Sequence, residues 1–224
     1  QADGRFSLPI SSPGKLNITA RAIGNDGVET EVSRVIKVRD PADKTAPQVS
    51  LSLATGSSII SQSRSVIAEV IDTNLDDWRL ELTVRGSNDF KLITSAENTF
   101  ASTEIAELDP AGFRNGFYTL RLTATDISGR QSVSSLDIEV SSDDKSKAYR
   151  AEIVDLTVDL GGQVVEIVRA YDSLNASAEL GFGSGWRFAG RDLELQSNLP
   201  LTGRESVGVF NAYSEGTKVY LTLP

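Results

Sequence analysis

The stretch Tyr118-Thr-Leu-Arg-Leu-Thr-Ala-Thr-Asp-Ile-Ser-Gly129 decides the fold of this chain. Apolar and polar residues alternate through its first part, and its last four residues have the composition of a tight turn. The same alternation recurs in Leu16–Ala22, Val66–Val70 and Trp78–Val84, and no convincing stretch has the period of a helix. The sequence therefore predicts an all-β protein.

An internal repeat divides the chain. Leu16-Asn-Ile-Thr-Ala-Arg-Ala-Ile-Gly-Asn-Asp-Gly27 corresponds to Leu120-Arg-Leu-Thr-Ala-Thr-Asp-Ile-Ser-Gly129, and an alternating strand follows each copy, ending at Val38 and Val140. The offsets are 104 residues (16 to 120) and 102 residues (38 to 140), close to the length of an immunoglobulin-like β-sandwich. We therefore predict three regions: the carboxy-terminal strands of one immunoglobulin-like domain in 1–40, a complete immunoglobulin-like sandwich in 47–141, and further antiparallel strands in 148–224.

Seven strands are predicted for the complete sandwich: Gln48–Leu53, Ser65–Ile71, Trp78–Arg85, Phe90–Thr94, Thr103–Leu108, Gly116–Thr125 and Ser132–Val140. Trp78 is expected to face the core with the leucines of its strand. Tyr118 is expected to reach the backbone with its hydroxyl, as in a tyrosine corner. In the first region, the strands that would complete the sandwich are expected to precede Gln1.

The last third changes pattern. Ile153–Leu160 and Gln163–Tyr171 flank Gly161-Gly162, a two-residue loop suited to a hairpin. The second of these strands is apolar on both sides, so we expect cover on both sides. Further strands are predicted in Trp186–Leu195 and Thr217–Leu223.

Composition argues against several functions. The net charge is −9 with acidic residues spread along the chain, which argues against a nucleic-acid partner and against docking on anionic lipid. The chain has no cysteine and therefore no thiolate nucleophile, and it has no histidine, which is the most usual general base and metal ligand. No apolar run approaches the roughly 18–20 residues of a transmembrane helix. We therefore expect no enzymatic activity, no cofactor and no membrane contact here. Because the sequence has no methionine, Gln1 is expected to begin a mature or excised piece.

A calcium loop is the one metal site that the sequence suggests. Asp72-Thr-Asn-Leu-Asp-Asp77 places oxygen-bearing residues as in the first half of such a loop. Its sixth position is Asp77 where glycine is needed, and its twelfth is Thr83 where glutamate is needed. A solvated loop of the sandwich is therefore the preferred interpretation. Calcium binding at Asp72–Asp77 stays open, and no residue is assigned as a metal ligand.

Other candidate residues are weaker. Asn17-Ile-Thr and Asn175-Ala-Ser fit the glycosylation acceptor pattern. Arg169 and Arg187 flank a cluster of glycines and aromatic residues and could bind an anion. Stacking on an aromatic ring, or pairing with a carboxylate, is the commoner use of such arginines. No residue is assigned a catalytic or cofactor-binding role.

Three blocks of the last third resemble the opening segment of RHS/YD-repeat proteins: Asp155-Leu-Thr-Val-Asp-Leu-Gly-Gly-Gln-Val-Val-Glu-Ile-Val-Arg-Ala-Tyr-Asp-Ser-Leu174, Gly181-Phe-Gly-Ser-Gly-Trp-Arg-Phe188 and Gly216-Thr-Lys-Val-Tyr-Leu-Thr-Leu-Pro224. Thr45-Ala-Pro-Gln-Val49 and Asn115–Gly129 resemble the opening and closing segments of bacterial immunoglobulin-like and cadherin-like repeats. The tandem Tyr-Asp units that wind an RHS shell are not present, since Tyr171-Asp172 is a single occurrence in an opening strand.

The resemblance implies a large secreted or cell-surface bacterial protein. In many members of that family a β-sheet shell encloses a carboxy-terminal toxic or effector domain, and upstream immunoglobulin-like modules form a stalk or targeting region. We therefore expect a non-catalytic spacer and scaffold at the start of such a shell. Its partners would be other domains of the same chain and a host or neighbouring-cell surface protein or glycan.

Two other functions are kept open. The first is an adhesin or carbohydrate-binding module, which an exposed Trp186 or Phe182 ringed by polar groups would favour, whereas burial of both would favour the scaffold. The second is a hydrolase with two carboxylates facing each other within about 5–10 Å. In the scaffold interpretation, both aromatic residues are expected to be core residues.

Overall fold

The computed structural model describes residues 7, 9–10, 12–176, 182–189 and 194–222. These residues form antiparallel sheets joined by turns, with three short 3₁₀ turns at Pro110–Gly112, Ser173–Asn175 and Glu205–Val207, which confirms the all-β prediction. No helix among the described residues is long and apolar enough to cross a membrane.

The first region is a hairpin of β1 (Gly14–Ile23) and β2 (Glu29–Val38). Their register pairs Leu16 with Ile36 and Ala20 with Val32, so apolar side chains share one face. Both strands pair only with each other among the described residues. Much of that face is exposed.

The middle region is a two-sheet sandwich of eight strands: β3 (Gln48–Leu53), β4 (Ile59–Ile60), β5 (Arg64–Ile71), β6 (Leu75–Val84), β7 (Lys91–Ala96), β8 (Phe100–Leu108), β9 (Gly116–Asp126) and β10 (Gln131–Val140). One sheet has the order β3-β5-β8 and the other the order β4-β10-β9-β6-β7. All neighbours are antiparallel except β4, which runs parallel to β10. Seven strands were predicted, and the two-residue β4 was missed.

The core lies between these two sheets and confirms the predicted strand faces. Trp78 packs against Phe100 edge to face at 5.2 Å, and its indole Nε1–H donates to the Asn98 carbonyl at 3.0 Å. The Tyr118 hydroxyl donates to the Arg114 carbonyl at 2.9 Å, which is the predicted tyrosine corner. Burial raises the pKa of Tyr118 to about 12, so the hydroxyl keeps its proton and remains a donor.

The last region begins with a sheet of β11 (Arg150–Asp159), β12 (Val164–Asp172) and β13 (Trp186–Phe188), in that order. The hairpin turn falls at Gly161-Gly162 as predicted. Both glycines have positive φ (69° and 92°), which a type I′ turn requires. The expected cover on both sides of β12 is wrong for its first half, because Val164 and Val165 are exposed.

A separate sheet pairs β14 (Glu194–Ser197) with β15 (Val219–Thr222). The stretch Trp186–Leu195, where strands were predicted, contains β13 and the start of β14. β13 pairs with β12 and β14 with β15, so the two strands belong to different sheets. A run of alternating residues cannot show that its two ends have different partners.

Candidate functional site

Two polar junctions, one at each end of the sandwich, are the best-defined sites of the described residues. Leu75 at the start of β6 lies opposite Asp126 at the end of β9, whereas Val84 at the end of β6 lies opposite Tyr118 near the start of β9. The amino-terminal junction lies at the first of these ends and the carboxy-terminal junction at the second. Both are built from charged side chains that come from different regions of the chain.

The amino-terminal junction joins the first hairpin to the sandwich through Asp76. The Asp76 side chain is only 12% exposed, and Lys15 Nζ lies 3.0 Å from its Oδ1. Lys37 from the neighbouring strand binds the other carboxylate oxygen, and Lys15 also binds Glu97 at 2.7 Å. Burial opposes ionisation of Asp76, but hydrogen bonds from Lys37 and Lys15 outweigh it and lower the pKa of this carboxyl. Two lysines of one hairpin thus hold one buried carboxylate of the next module.

Arg130 fixes the linker at the same end of the molecule. Its Nη2 lies 2.8 Å from Asp43 Oδ2, and its Nη1 donates to the Asp43 carbonyl at 2.8 Å. Its Nε donates to Asp126 at 2.7 Å, and the Asp126 side chain is fully buried. Asn74 donates to Asp43 at 2.9 Å. That hydrogen bond, with others from Thr45, lowers the pKa of Asp43 to about 2.

The predicted calcium loop is part of this junction, not a loop in solvent. Residues from Leu75 onward belong to β6, and Asp76 is buried and paired with lysines. Asp72 instead caps the preceding turn by accepting from the Asn74 backbone N–H at 2.7 Å. The interpretation as a solvated loop is therefore wrong for Asp76. Among the described residues, no three acidic side chains are placed to hold a metal ion.

The carboxy-terminal junction is centred on Arg114, whose side chain is 10% exposed. Its Nε lies 3.1 Å from Asp172, which is 5% exposed, and its Nη1 lies 2.9 Å from Glu194. Asp172 also accepts from the Leu174 backbone N–H at 3.0 Å and so caps the 3₁₀ turn that follows β12. One arginine of the sandwich thus binds two strands of the last region.

The β14–β15 sheet completes this junction. Glu139 at the end of β10 accepts from Lys218 Nζ at 2.8 Å and from the Tyr220 hydroxyl at 2.7 Å. The Phe117 backbone N–H donates to Gln196 at 2.8 Å, and the Phe117 ring packs edge to face on Tyr220 at 5.3 Å. The sheet is therefore held to the sandwich through its side chains.

The glycine-rich segment forms an aromatic corner around Tyr171. Its ring lies 5.3 Å from Trp186 and 6.1 Å from Tyr149, tilted by 49° and 55°. Gly185 has φ +77°, and a Cβ there would lie 2.7 Å from Tyr171 Cε2. Only glycine fits beneath this ring. Gly181, which was part of the predicted cluster, lies outside the described residues.

The remaining predicted residues have mixed outcomes. Arg169 lies over Trp186 at 5.4 Å and pairs with Asp155 at 2.7 Å, the common use predicted for it. Burial lowers the pKa of Arg187, the first strand residue after Trp186. The prediction that Phe182 is a core residue is wrong, because this side chain is 46% exposed and stacks on Phe188 at the surface. Trp186 itself is half-buried.

The structure shows where the asparagines of the two glycosylation patterns lie. Asn17 is exposed on β1. Asn175 is the last residue of a 3₁₀ turn, and Ser177, the third residue of its acceptor pattern, lies outside the described residues.

Three residues of the two junctions, Arg114, Arg130 and Glu139, were not singled out from the sequence. Asp172 was quoted only as half of a Tyr-Asp pair.

A groove of about 370 Å³ lies between the sandwich and the loop that joins β14 to β15. Its apolar wall includes Phe117, Leu201, Phe210 and Tyr213, and Glu205 and Asn211 add polar groups. The Asn211 side chain donates to the Pro200 carbonyl at 2.7 Å, and Glu205 accepts from the Thr202 hydroxyl at 2.9 Å. The side chains of Asn211 and Glu205 therefore already make hydrogen bonds within the loop itself.

Comparison with known proteins adds no identification. No protein-family model matches the chain, and no curated protein matches it. Among solved structures, the crystal structure of an engineered protein is similar at 20% identity and a TM-score of 0.28. The match covers 46% of this chain and 21% of that chain.

Proposed function

We propose that this chain is a non-catalytic structural spacer of a large secreted or cell-surface RHS-repeat protein. In this proposal the sandwich connects upstream modules to the start of a β-shell that presents or encloses a carboxy-terminal effector. The observation that carries it is the buried ion pairing at both ends of the sandwich. The family itself rests on the sequence resemblance alone.

Buried ion pairs suit a spacer because they penalise separation. Removing one partner of a buried pair costs about 3–5 kcal/mol, since the other charge is left without compensation. Asp76 and Asp172 are both held by residues of the adjoining region, so a change of angle at either junction would expose or unpair them. A flexible tether would instead carry exposed charges and few cross-contacts.

The aromatic corner fits the same role better than glycan binding. Sugar-binding platforms present a ring face to solvent, whereas the rings of Tyr171 and Trp186 are tilted against each other and Arg169 covers the indole. The exposure of Phe182 is the one feature of the corner that favours recognition. The complete sequence of the protein beyond Pro224 provides a test, because absence of tandem Tyr-Asp repeats there would exclude an RHS shell.

Spin-label distances test the rigid spacer directly. The chain has no cysteine, so Ser33→Cys with Ser102→Cys reports on the first junction, and Ser102→Cys with Glu166→Cys reports on the second. All three positions are exposed. We expect one narrow distance distribution for each pair, and broad distributions in the unaltered background would contradict the proposal.

Matched substitutions show whether the ion pairs set these distances. Arg130→Gln should broaden only the first distribution, and Arg114→Gln only the second. Arg21→Gln removes an arginine from the exposed pair with Glu29 and should change neither. If Arg114→Gln and Arg21→Gln behave alike, the buried pair does not orient the modules.

The groove supports a second candidate, a carbohydrate-binding module. Phe210 and Tyr213 are 68% and 63% exposed beside Phe117, which matches the aromatic lining of many ligand sites. A glycan array would test it. Binding that Tyr213→Ala abolishes, and that Tyr149→Ala outside the groove lining preserves, would favour recognition over the spacer.

A further inference from the structure

We propose that two copies of this chain associate edge to edge through β11, which would form one continuous sheet of six strands. In the described part of the chain β11 pairs only with β12, so its outer edge carries backbone groups that no described strand binds. Such an edge is a template for another strand. Ile153, Val154 and Leu156 are 43–50% exposed on it.

The β-bulge in β11 makes the strand self-complementary. The register with β12 is continuous from Arg150, opposite Asp172, to Val154, opposite Val168. It continues from Leu156, opposite Ile167, to Asp159, opposite Val164, so Asp155 is an extra residue without a partner in β12. An extra residue reverses the alternation of faces. Arg150 and Asp159 therefore lie on one face, and Ile153 and Leu156 lie together on the other.

A two-fold axis between Val154 and Asp155 then matches the strand with itself. In an antiparallel pair centred there, each Arg150 lies opposite Asp159 of the second copy. Ile153 likewise lies opposite Leu156 of the second copy on the apolar face. Ala151 lies opposite Val158 on the same face, so the register creates two ion pairs and four apolar pairs, and sets no like charges opposite each other.

The bulge also selects this register over its neighbours. A shift by one residue in either direction removes both ion pairs, and one of the two shifts sets Asp155 opposite its own copy. Bulges usually protect an edge, because a regular strand cannot follow them. Two copies related by this axis bring their bulges side by side, with each Asp155 opposite Val154 of the second copy, so no residue of either strand is left unmatched. The chemistry of β11 therefore points to a second copy as the occupant.

Sedimentation velocity of the complete 224-residue chain tests the proposal across the micromolar range. We expect a reversible dimer whose dissociation constant rises about tenfold in Arg150→Glu and in Asp159→Arg, since each places two like-charge pairs in the sheet. The double variant Arg150→Glu with Asp159→Arg should regain the affinity to within about threefold.

Two control variants separate local charge from net charge. Arg21→Glu and Glu29→Arg change the net charge by the same amounts in the first hairpin, and should leave the dimer unchanged. A monomer at every concentration would overturn the proposal. So would a dimer that ignores the single variants, or a double variant that does not recover.

Hydrogen exchange provides a readout that does not depend on any variant. In the unaltered chain the β11 amides should gain protection as protein concentration rises. Protection at every concentration in a monomeric chain would assign the edge to another segment of the same chain. Absence of protection in the dimer would assign the contact to a different surface, and either result would refute the β11 pairing.

Discussion

Replacing Arg114 by methionine is the sharpest test of the carboxy-terminal junction. The substitution keeps the length and apolar character of the side chain but removes the guanidinium that binds Asp172 and Glu194. Asp172, at 5% exposure, would still accept from the Leu174 N–H, and Arg150 would remain with its Nε 3.8 Å away, but the closest guanidinium contact that is described would be lost. A buried carboxylate without its partner destabilises the folded state.

The size of the effect follows from these contacts. Removing one partner of a fully buried pair costs about 3–5 kcal/mol. Two features reduce the cost here, since Arg150 remains near Asp172 and Glu194 is 39% exposed and can be hydrated. We therefore expect Arg114→Met to lose about 2–3 kcal/mol of unfolding free energy at neutral pH.

Urea unfolding followed by tryptophan fluorescence measures this loss region by region. Urea is preferred to guanidinium chloride because added salt would screen the ion pair. Trp78 reports on the sandwich core and Trp186 on the aromatic corner, so Trp186→Phe and Trp78→Phe backgrounds separate the two signals. The loss should appear mainly in the Trp186 signal.

A double-mutant cycle with Asp172→Asn isolates the pair itself. We expect a coupling energy of about 1–3 kcal/mol between the two substitutions. Arg21→Met, in an exposed pair, should cost less than about 0.5 kcal/mol and is the matched control. A loss below about 0.5 kcal/mol in Arg114→Met would refute the reasoning, because the junction would then not depend on its buried charge.

Three further predictions concern the linker, the aromatic corner and calcium. The pKa of Asp43 is about 2, below its ordinary value of 3.8, so the stability that its ionised form contributes is complete above pH 3.8 and is lost as the pH falls toward 2. Asp43→Asn should remove this part of the acid transition in urea unfolding curves recorded over a series of pH values. Gly185→Ala should lower the free energy of unfolding by about 2–4 kcal/mol in thermal unfolding, since the new Cβ would meet Tyr171 at a residue with positive φ. Gly183→Ala, where φ is positive but the space is open, should cost about 1 kcal/mol, and equal losses would contradict the close packing. Millimolar calcium should leave the melting temperature unchanged, because Asp76 is already paired with two lysines, and a rise that a chelator reverses would overturn this assignment.

The sandwich was predictable because its strands carry their signal locally. Trp78 and Tyr118 share parity with the buried leucines of their strands, so one side of each strand had to face a core. The turn at Gly161-Gly162 was predictable for a similar reason, since two adjacent glycines permit the positive φ angles that the hairpin needs. The two-residue β4 was not, because so short a strand has no period.

The junctions could not be predicted, because their signal is not local. Arg114 and Asp172 are 58 residues apart, and Lys218 and Glu139 are 79 apart. Scattered charged residues on strands are usually solvated, and nothing in the spacing of these four distinguishes them from others. Pairing of this kind is decided by how separate regions meet, so the buried carboxylates were seen only in the fold.

The parallel contact between β4 and β10 determines how the sandwich carries tension. Backbone N–H groups of Glu139 and Ser141 donate to the carbonyls of Ser58 and Ile60 at 2.9 and 3.0 Å. β4 lies near the amino-terminal end of the sandwich sequence and β10 at its carboxy-terminal end, so a pull on the two linkers draws these strands in opposite directions along their length. Their hydrogen bonds are then loaded together in shear, and none can open before the others. A sandwich pulled through its two linkers would therefore resist extension by shear at this short contact.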